Sequence, residues 1–542
     1  MKPAQAKRAP GDAEALRLLG LAAARSGRLD EAAEHYAAAL DGGRDEPRAL
    51  NEYASILAAL GRTEDAVAVY RKLTANGAAS AGSFRGLGNA LRRLGRLDEA
   101  VGAFETARDL DPESAPSHVD LGNVLSELGD ARAAAAYAEA LARAPDSAAA
   151  HNGVGNLLMT QGRLDEAIEA FRRAVACQPD FAFAHYNLAN ALRAAGDGDR
   201  AVAHLRQAVA LKPDFAEAHN NLGNALKDLD RLDEARAAYR GALAARPDYA
   251  EARSNLGGLL KQEGDLEAAT RAYRRAVTSR PDFAEAWNNL GNILALRRKT
   301  DAAADCYRRV LDMEPTHPSA AHMLAAMTGA TTARAPDGYV RDLFDNYAST
   351  FDSHLVKALG YRTPSLLREE IDALGAARFE RVMDLGCGTG LGAEAFRDIA
   401  GHLHGVDLAP KMIAEARRKE IYEHLEVGEA LACLSESPGD YDLVLSADVF
   451  VYIGDLEPIF AAVRDKTVLG ALFAFSVEAA DGDGFALLDC GRYAHSSRYI
   501  EGLAANYGFS IERRRHVPIR EERGGPVAGY LFVLKVAARE TP

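Results

Sequence analysis

The chain has 542 residues, a formal net charge of −14, 48% hydrophobic and 26% charged residues. The length suggests three to four ordinary domains, the composition is that of a folded water-soluble chain, and the acidic balance argues against broad nucleic-acid binding, which needs a basic footprint. No apolar run reaches the roughly 18 residues of a membrane-spanning helix, and the five cysteines are scattered with no C-x-x-C pair, which argues against a disulfide framework and fits the cytoplasm.

Residues 1–12 begin with charge but no apolar stretch, so they read as a flexible tail and not a secretory signal. From there one phrase returns: Gly27-Arg28-Leu29-Asp30-Glu31-Ala32, with counterparts starting at Gly61, Gly95, Gly129, Gly162, Gly196, Asp230, Gly264 and Arg298. The step is constant, except that it is one residue shorter between Gly129 and Gly162. Proline keeps the same beat from Pro112 to Pro315, and an aromatic follows nine residues after most of the glycines, as at Tyr36, Phe104 and Tyr239. Tyr137 comes one residue early, which places the deletion in that turn or at the start of its second helix.

Within one unit, Ala218, Leu222, Ala225 and Leu226 have helical spacing, a turn follows, and Ala235, Tyr239 and Ala242 mark a second helix that Pro247 stops. One hairpin cannot bury its own apolar face, so hairpins of this kind stack into a solenoid. The period and markers resemble the tetratricopeptide repeat over residues 13–317, in nine copies, which implies an all-α right-handed superhelix of helix hairpins. Asn187, Asn221, Asn255 and Asn289 recur once per repeat, and Asn190, Asn224 and Asn292 follow three positions after three of them. Positions i and i+3 share a helix face. The series therefore predicts a wall of asparagines that either holds the backbone of a peptide on the concave face, as a ladder in O-linked N-acetylglucosamine transferases does, or bonds neighbouring turns. Trp287 reads as packing.

Residues 318–338 are expected to form a capping helix and a linker rich in small residues, Gly and Pro. The amphipathic, aromatic segment that follows resembles the lid of small-molecule methyltransferases, with Tyr347, Phe351 and His354 either facing a pocket or packing on a sheet.

From residue 339 to 542 strands and helices alternate, the pattern of a parallel sheet with crossovers. Val382-Met383-Asp384-Leu385-Gly386-Cys387-Gly388-Thr389-Gly390 reads as a buried strand running into a turn whose glycines take positive φ and admit a ligand against the backbone. Asp407, which follows Asp384 at the end of the second strand, can accept both hydroxyls of a ribose. Gly-Cys-Gly-Thr-Gly after Asp384, together with Val406-Asp407-Leu408-Ala409-Pro410-Lys411-Met412, resembles class I S-adenosylmethionine-dependent methyltransferases, and Phe344-Asp345-Asn346-Tyr347-Ala348 resembles bacterial methyltransferases that carry tetratricopeptide repeats.

That resemblance implies an α/β Rossmann-like domain and S-adenosyl-L-methionine as cofactor. It assigns cofactor contacts to Asp384, Gly386, Cys387, Gly388, Thr389, Gly390, Asp407, Leu408 and Met412. It adds Glu429 and Ala430 after the third strand, and Ala447 and Asp448 after the fourth. Tyr452 and Arg492 are expected on the acceptor side. His495 has the unperturbed pKa of a general base, with Tyr493 and Asp448 as alternatives; a structural hydrogen bond is the other role open to His495. His402, His404 and Asp407 alternate along one strand without a third ligand at metal spacing, so no metal site is expected. Arg513-Arg514-Arg515 reads as a solvated strand edge. Three functions follow: a methyltransferase whose repeats recruit a protein substrate or partner, the same enzyme acting on a small metabolite or lipid, and a scaffold that binds the cofactor without turnover.

Overall fold

The computed structural model describes residues 10–41, 46–75, 79–345, 348, 351–352, 361–376, 378–522 and 525–538. The chain divides into two compact units, Met1–Leu259 and Leu260–Pro542.

Among its described residues the first unit contains seven complete antiparallel helix pairs, from Pro10–Arg25 with Leu29–Leu40 to Ala216–Asp228 with Leu232–Ala245. The first helix starts at Pro10, inside the stretch expected to be a tail. The turns need left-handed backbone: Gly27, Gly61, Gly95, Gly129, Gly162 and Gly196 have φ from 69° to 83°, and Asp230 keeps that geometry at φ 57°. The short repeat loses its residue at the start of its second helix, which begins at Arg132, three residues after Gly129, where Leu97 follows Gly95 by two.

Packing explains the repeated Asn-Leu-Gly-Asn. A Cβ at Gly223 would lie 2.5 Å from the Tyr239 ring, and one at Gly155 would lie 2.5 Å from Phe171, so these glycines seat the aromatic of the next helix. The following asparagine accepts the tyrosine hydroxyl, Tyr137 to Asn123 and Tyr239 to Asn224, each at 2.8 Å. The other series bonds the preceding repeat. Asn187 donates to Asn152, Asn221 to Asn190, and Asn255 to Asn220, all at 2.9 Å. These amides thus satisfy one another between turns, the second of the two roles expected for them. Four histidines share a further device: His118, His151, His185 and His219 each place Nε2 2.9–3.0 Å from the carbonyl of the proline six residues earlier.

The second unit joins the last repeats to the C-terminal sheet. Ala284–Leu296 and Thr300–Met313 form the ninth helix pair, and Pro318–Thr328 caps it. Here Tyr307 donates to Asn292 at 2.8 Å, and Trp287 Nε1 donates to the Pro281 carbonyl at 2.9 Å. The boundary between units lies within the repeats because this last stretch packs on the sheet domain: His322 Nε2 is 2.9 Å from the Gly491 carbonyl oxygen.

Nine strands form one sheet: β1 Phe379–Leu385, β2 Ala400–Asp407, β3 His424–Val427, β4 Tyr441–Ser446, β5 Thr467–Ala479, β6 Phe485–Leu487, β7 Tyr493–His495, β8 Phe509–Glu522 and β9 Gly525–Val536. The order is β3-β2-β1-β4-β5, parallel, with β9 antiparallel to β5 and β8 outside it. Both faces are covered. Met383, Phe473, Phe475 and Val477 enter one core, and Val382, Leu472 and Ala474 enter the other, so these strands read as apolar runs without alternation. At Glu478, β5 pairs with β9 on one edge and with β7 on the other. The β6–β7 hairpin therefore continues the sheet beyond the end of β4, at the carboxyl end where a ligand site is expected.

Candidate cofactor and acceptor site

A cavity of about 330 Å³ opens at the carboxyl ends of β1, β2 and β4. The turn after β1 is built for close approach. Gly386, Gly388 and Gly390 have φ of 68°, 56° and 92°, as expected, and a Cβ on Gly386 would stand 2.3 Å from Val449 Cγ2. Gly386 and Gly388 line the cavity. Asp407 lines it too, and its oxygens are fixed by backbone donors, Oδ2 by Gly388 N–H at 2.9 Å and Oδ1 by Ala409 N–H at 2.8 Å. Burial raises the Asp407 pKa, and those two N–H groups oppose the shift. Each oxygen retains a second acceptor direction for a ligand hydroxyl.

Leu408, Met412, Glu429, Ala430, Ala447, Asp448, Tyr452, Phe351 and Arg492 also line the cavity. Glu429 is already engaged: Oε2 caps its helix through the Ala432 N–H at 2.9 Å, and Oε1 lies 3.4 Å from Arg334. Tyr347 and His354 fall outside the described residues.

Four residues expected to touch a cofactor lie behind the wall. Asp384 is buried beneath the turn and accepts the Tyr422 hydroxyl at 2.6 Å. Burial pushes its pKa up to about 6, partly opposed by Tyr422 and reinforced by Asp407. Cys387 is buried, its N–H spent on the Val406 carbonyl at 2.9 Å. The Thr389 hydroxyl bonds Asp352, and Gly390 is the left-handed residue that opens the helix Leu391–Phe396.

His495 and Tyr493 require correction as catalytic residues. His495 is fully buried on β7 and does not reach the cavity; Nε2 is 2.9 Å from the Gly454 carbonyl, and burial lowers its pKa to about 4. Tyr493 is equally buried and bonds the Thr332 hydroxyl. Both residues support the wall. In a three-residue strand every side chain can be enclosed when the hairpin is covered on both faces, as β7 is.

The stretch expected to be a linker is stitched to the loop after β4. Ala335 N–H donates to the Tyr452 carbonyl at 2.9 Å, and the Ala333 carbonyl accepts from Gly454 and Asp455, each at 2.8 Å. Arg334, Ala335 and Asp337 consequently line the cavity, as do Val340, Leu343 and Phe344 of the helix Asp337–Asp345.

Arg520 of β8 is a site residue that sequence patterns do not single out. It is buried, donates to both oxygens of Asp448 at 2.8 and 3.1 Å, and to Glu478 at 2.6 Å, where Arg492 also donates at 3.2 Å. In the sequence it stands only as a cation beside Ile519 near the end of a long strand. Asp448 has φ 62°, a conformation that Asp tolerates better than most residues, and its N–H donates to Ser476 at 2.8 Å. Tyr361 completes this end of the cavity, 3.5 Å from the Ala447 carbonyl, with its pKa held well above the phenol range by burial. Burial raises the Tyr452 pKa as well, so both phenols are protonated donors at neutral pH.

Comparison with known proteins gives the class. Tetratricopeptide-repeat profiles match residues 3–180 in overlapping segments, and also 189–230, 214–282 and 254–318, while a methyltransferase domain profile matches 382–467. Aklanonic acid methyltransferase DauC of Streptomyces sp. strain C5 is 31% identical over 145 residues, 25% of this chain and 64% of that protein. The malonyl-[acyl-carrier protein] O-methyltransferase of Chlorobium phaeovibrioides is 34% identical over 149 residues, 25% of this chain and 55% of that protein. The ubiquinone biosynthesis O-methyltransferase of Caulobacter sp. strain K31 is 33% identical over 100 residues, 17% of this chain and 40% of that protein. The chain thus spans less than two thirds of each of these relatives. Among solved structures, a crystal structure of MamA is 26% identical with TM-score 0.28, covering 30% of this chain and 95% of that one. YrrB, described as a TPR protein with an unusual peptide-binding site, is 27% identical with TM-score 0.30, covering 34% and 95%. The chain is a tetratricopeptide-repeat protein that carries a Rossmann-like methyltransferase domain after its repeats.

Proposed function

We propose that the protein is an S-adenosylmethionine-dependent methyltransferase whose repeats recruit a protein substrate or partner. The observation that carries the cofactor assignment is Asp407. Its carboxylate is pinned by two backbone N–H groups beside a glycine turn and still presents acceptors to the cavity. In this reading Asp407 holds the ribose, Gly386 and Gly388 admit the amino-acid moiety, and Leu408, Met412 and Ala430 bracket the base. Glu429 supports the base end as a helix cap paired with Arg334.

When bound, S-adenosylmethionine supplies a methyl group on a cationic sulfonium, open to in-line displacement by an acceptor nucleophile. The chain's task is alignment, with the reacting atoms brought to about 3–3.5 Å. Tyr361 and Tyr452 offer hydrogen-bond donors at the acceptor end, and the Asp448–Arg520–Glu478–Arg492 cluster sets its charge. Asp448 and Glu478 are both paired to Arg520.

One observation favours a second reading, a small apolar acceptor: Val340, Leu343, Phe344, Phe351 and Tyr452 give the cavity an apolar wall. The names of the relatives from Streptomyces and Caulobacter point to small-molecule products. A single experiment separates the two. Cell lysate is labelled by the full chain with tritiated S-adenosylmethionine and resolved into protein and metabolite fractions. Label in protein supports recruitment. Label confined to metabolites supports the small acceptor. Persistent absence of turnover with tight cofactor binding supports a non-catalytic scaffold.

A further inference from the structure

The edge of the sheet carries a cluster that the cofactor site does not use. His404 lies on β2, and His424 and Glu426 lie on β3. The parallel register sets His404 opposite His424 and Val406 opposite Glu426, so all three side chains leave the same face. Asp407 is an odd number of residues from His404 and points to the other face, into the cofactor cavity. Strand pairing therefore supplies the ligands that spacing along one strand lacks. Donor atoms of the three residues all lie within 4.8 Å of one another.

We propose that His404, His424 and Glu426 bind a divalent transition metal, zinc foremost, as a cross-strand clip on the edge strand β3. His404 Nε2 is buried with no hydrogen-bond partner, which is costly for an imidazole nitrogen unless something else occupies it. It stands 3.7 Å from Glu426 Oε2, too far for a hydrogen bond but close to the ~3.4 Å edge of a tetrahedron with metal–ligand bonds of about 2.1 Å. The other nitrogen, Nδ1, lies 2.9 Å from the Tyr441 hydroxyl. With its hydrogen given to that oxygen, Nδ1 leaves the Nε2 lone pair free, and the tyrosine acts as the outer partner that metal-binding histidines commonly have. The two rings meet edge to face at 4.5 Å, and His424 is on the solvent side, which gives an ion an entry path. Two imidazoles and a carboxylate suit zinc or iron(II), and leave an open coordination position.

A metal here would brace a four-residue edge strand that runs directly into Gly428 and Glu429 of the cavity wall. The site itself does not depend on the cofactor reading, because it is measured with metal alone.

The test uses full-length, tag-free protein, stripped of metal and kept reduced, titrated with Zn²⁺ against a chromophoric competitor. We expect one tight equivalent per chain, with affinity reduced at least about tenfold in Glu426→Gln and in His404→Ala. His402→Ala should bind as the wild type does, because His402 pairs with exposed Glu423 at 2.6 Å outside the cluster. Cobalt substitution gives a second readout in chains that remain folded by circular dichroism: intense visible ligand-field bands in the wild type, lost in Glu426→Gln. No tight equivalent, or equal affinity in wild type, His404→Ala and Glu426→Gln, would overturn the proposal.

Discussion

Arg520 donates to Asp448 through two hydrogen bonds of 2.8 and 3.1 Å, joining the outer antiparallel hairpin to the left-handed residue that follows the fourth strand. The pair spans 72 residues of sequence and stands in the cavity wall. A second carboxylate, Glu478, completes the charge balance. Arg520→Met would leave both acids without their shared cation. Breaking a buried pair in this way costs about 3–5 kcal/mol. Urea unfolding of the C-terminal transition should show that loss, with part of it recovered when Asp448→Asn and Glu478→Gln are added. A change in the single variant no larger than that of an ordinary surface substitution, about 0.5 kcal/mol, would show that the cluster does not hold the wall.

The pH dependence of stability has two opposed parts. Asp384 has its folded pKa raised by burial from 3.8 to about 6, so its contribution is present below pH 4 and is lost as pH rises through 6. His495 has its folded pKa lowered by burial from 6.5 to about 4, so its contribution is present above pH 6.5 and is lost as pH falls through 4. Each is on the order of 3 kcal/mol, and in the wild type they largely offset between pH 4 and 6. Asp384→Asn removes the first of these, and stability should then rise more steeply with pH across that window than in the wild type. His495→Gln removes the second, and stability should fall with pH relative to the wild type. Denaturant titrations at several pH values check the signs, and parallel slopes in the two variants would contradict both assignments.

Two repeats place a side chain where the others place glycine. Asp230 has φ 57° and Arg298 has φ 55°. A left-handed residue with a Cβ costs roughly 1–2 kcal/mol. Arg298→Gly should therefore stabilise its unit by about 1 kcal/mol, with a smaller gain for Asp230→Gly because Asp tolerates the conformation better. Differential scanning calorimetry of each variant measures the shift.

What can be read from residues alone is local. Positive φ at Gly386, Gly388 and Gly390, and a carboxylate at the end of the second strand, depend on neighbours within a few positions. The helix pairs are equally legible, because each repeat is specified by its own short stretch of chain. Arg334, Tyr361 and Arg520 are not, since a register shift near Pro518, a stitched linker and a segment ahead of the first strand bring them to one cavity. His495 misleads for the converse reason. Its ordinary pKa suits a base, but the closed hairpin around it removes both solvent and substrate. The asparagine series is visible as a period, and only the packing reveals that Asn190 and Asn221 satisfy each other.

Calorimetric titration with S-adenosylmethionine of the full chain and of Asp407→Asn measures whether Asp407 holds the cofactor. One site per chain is expected in the wild type, with a loss of about 10–100-fold in Asp407→Asn, the equivalent of about 1.5–3 kcal/mol for hydrogen bonds to a charged acceptor. A folded wild-type chain that does not bind, or a variant that binds as tightly as the wild type, would contradict that role.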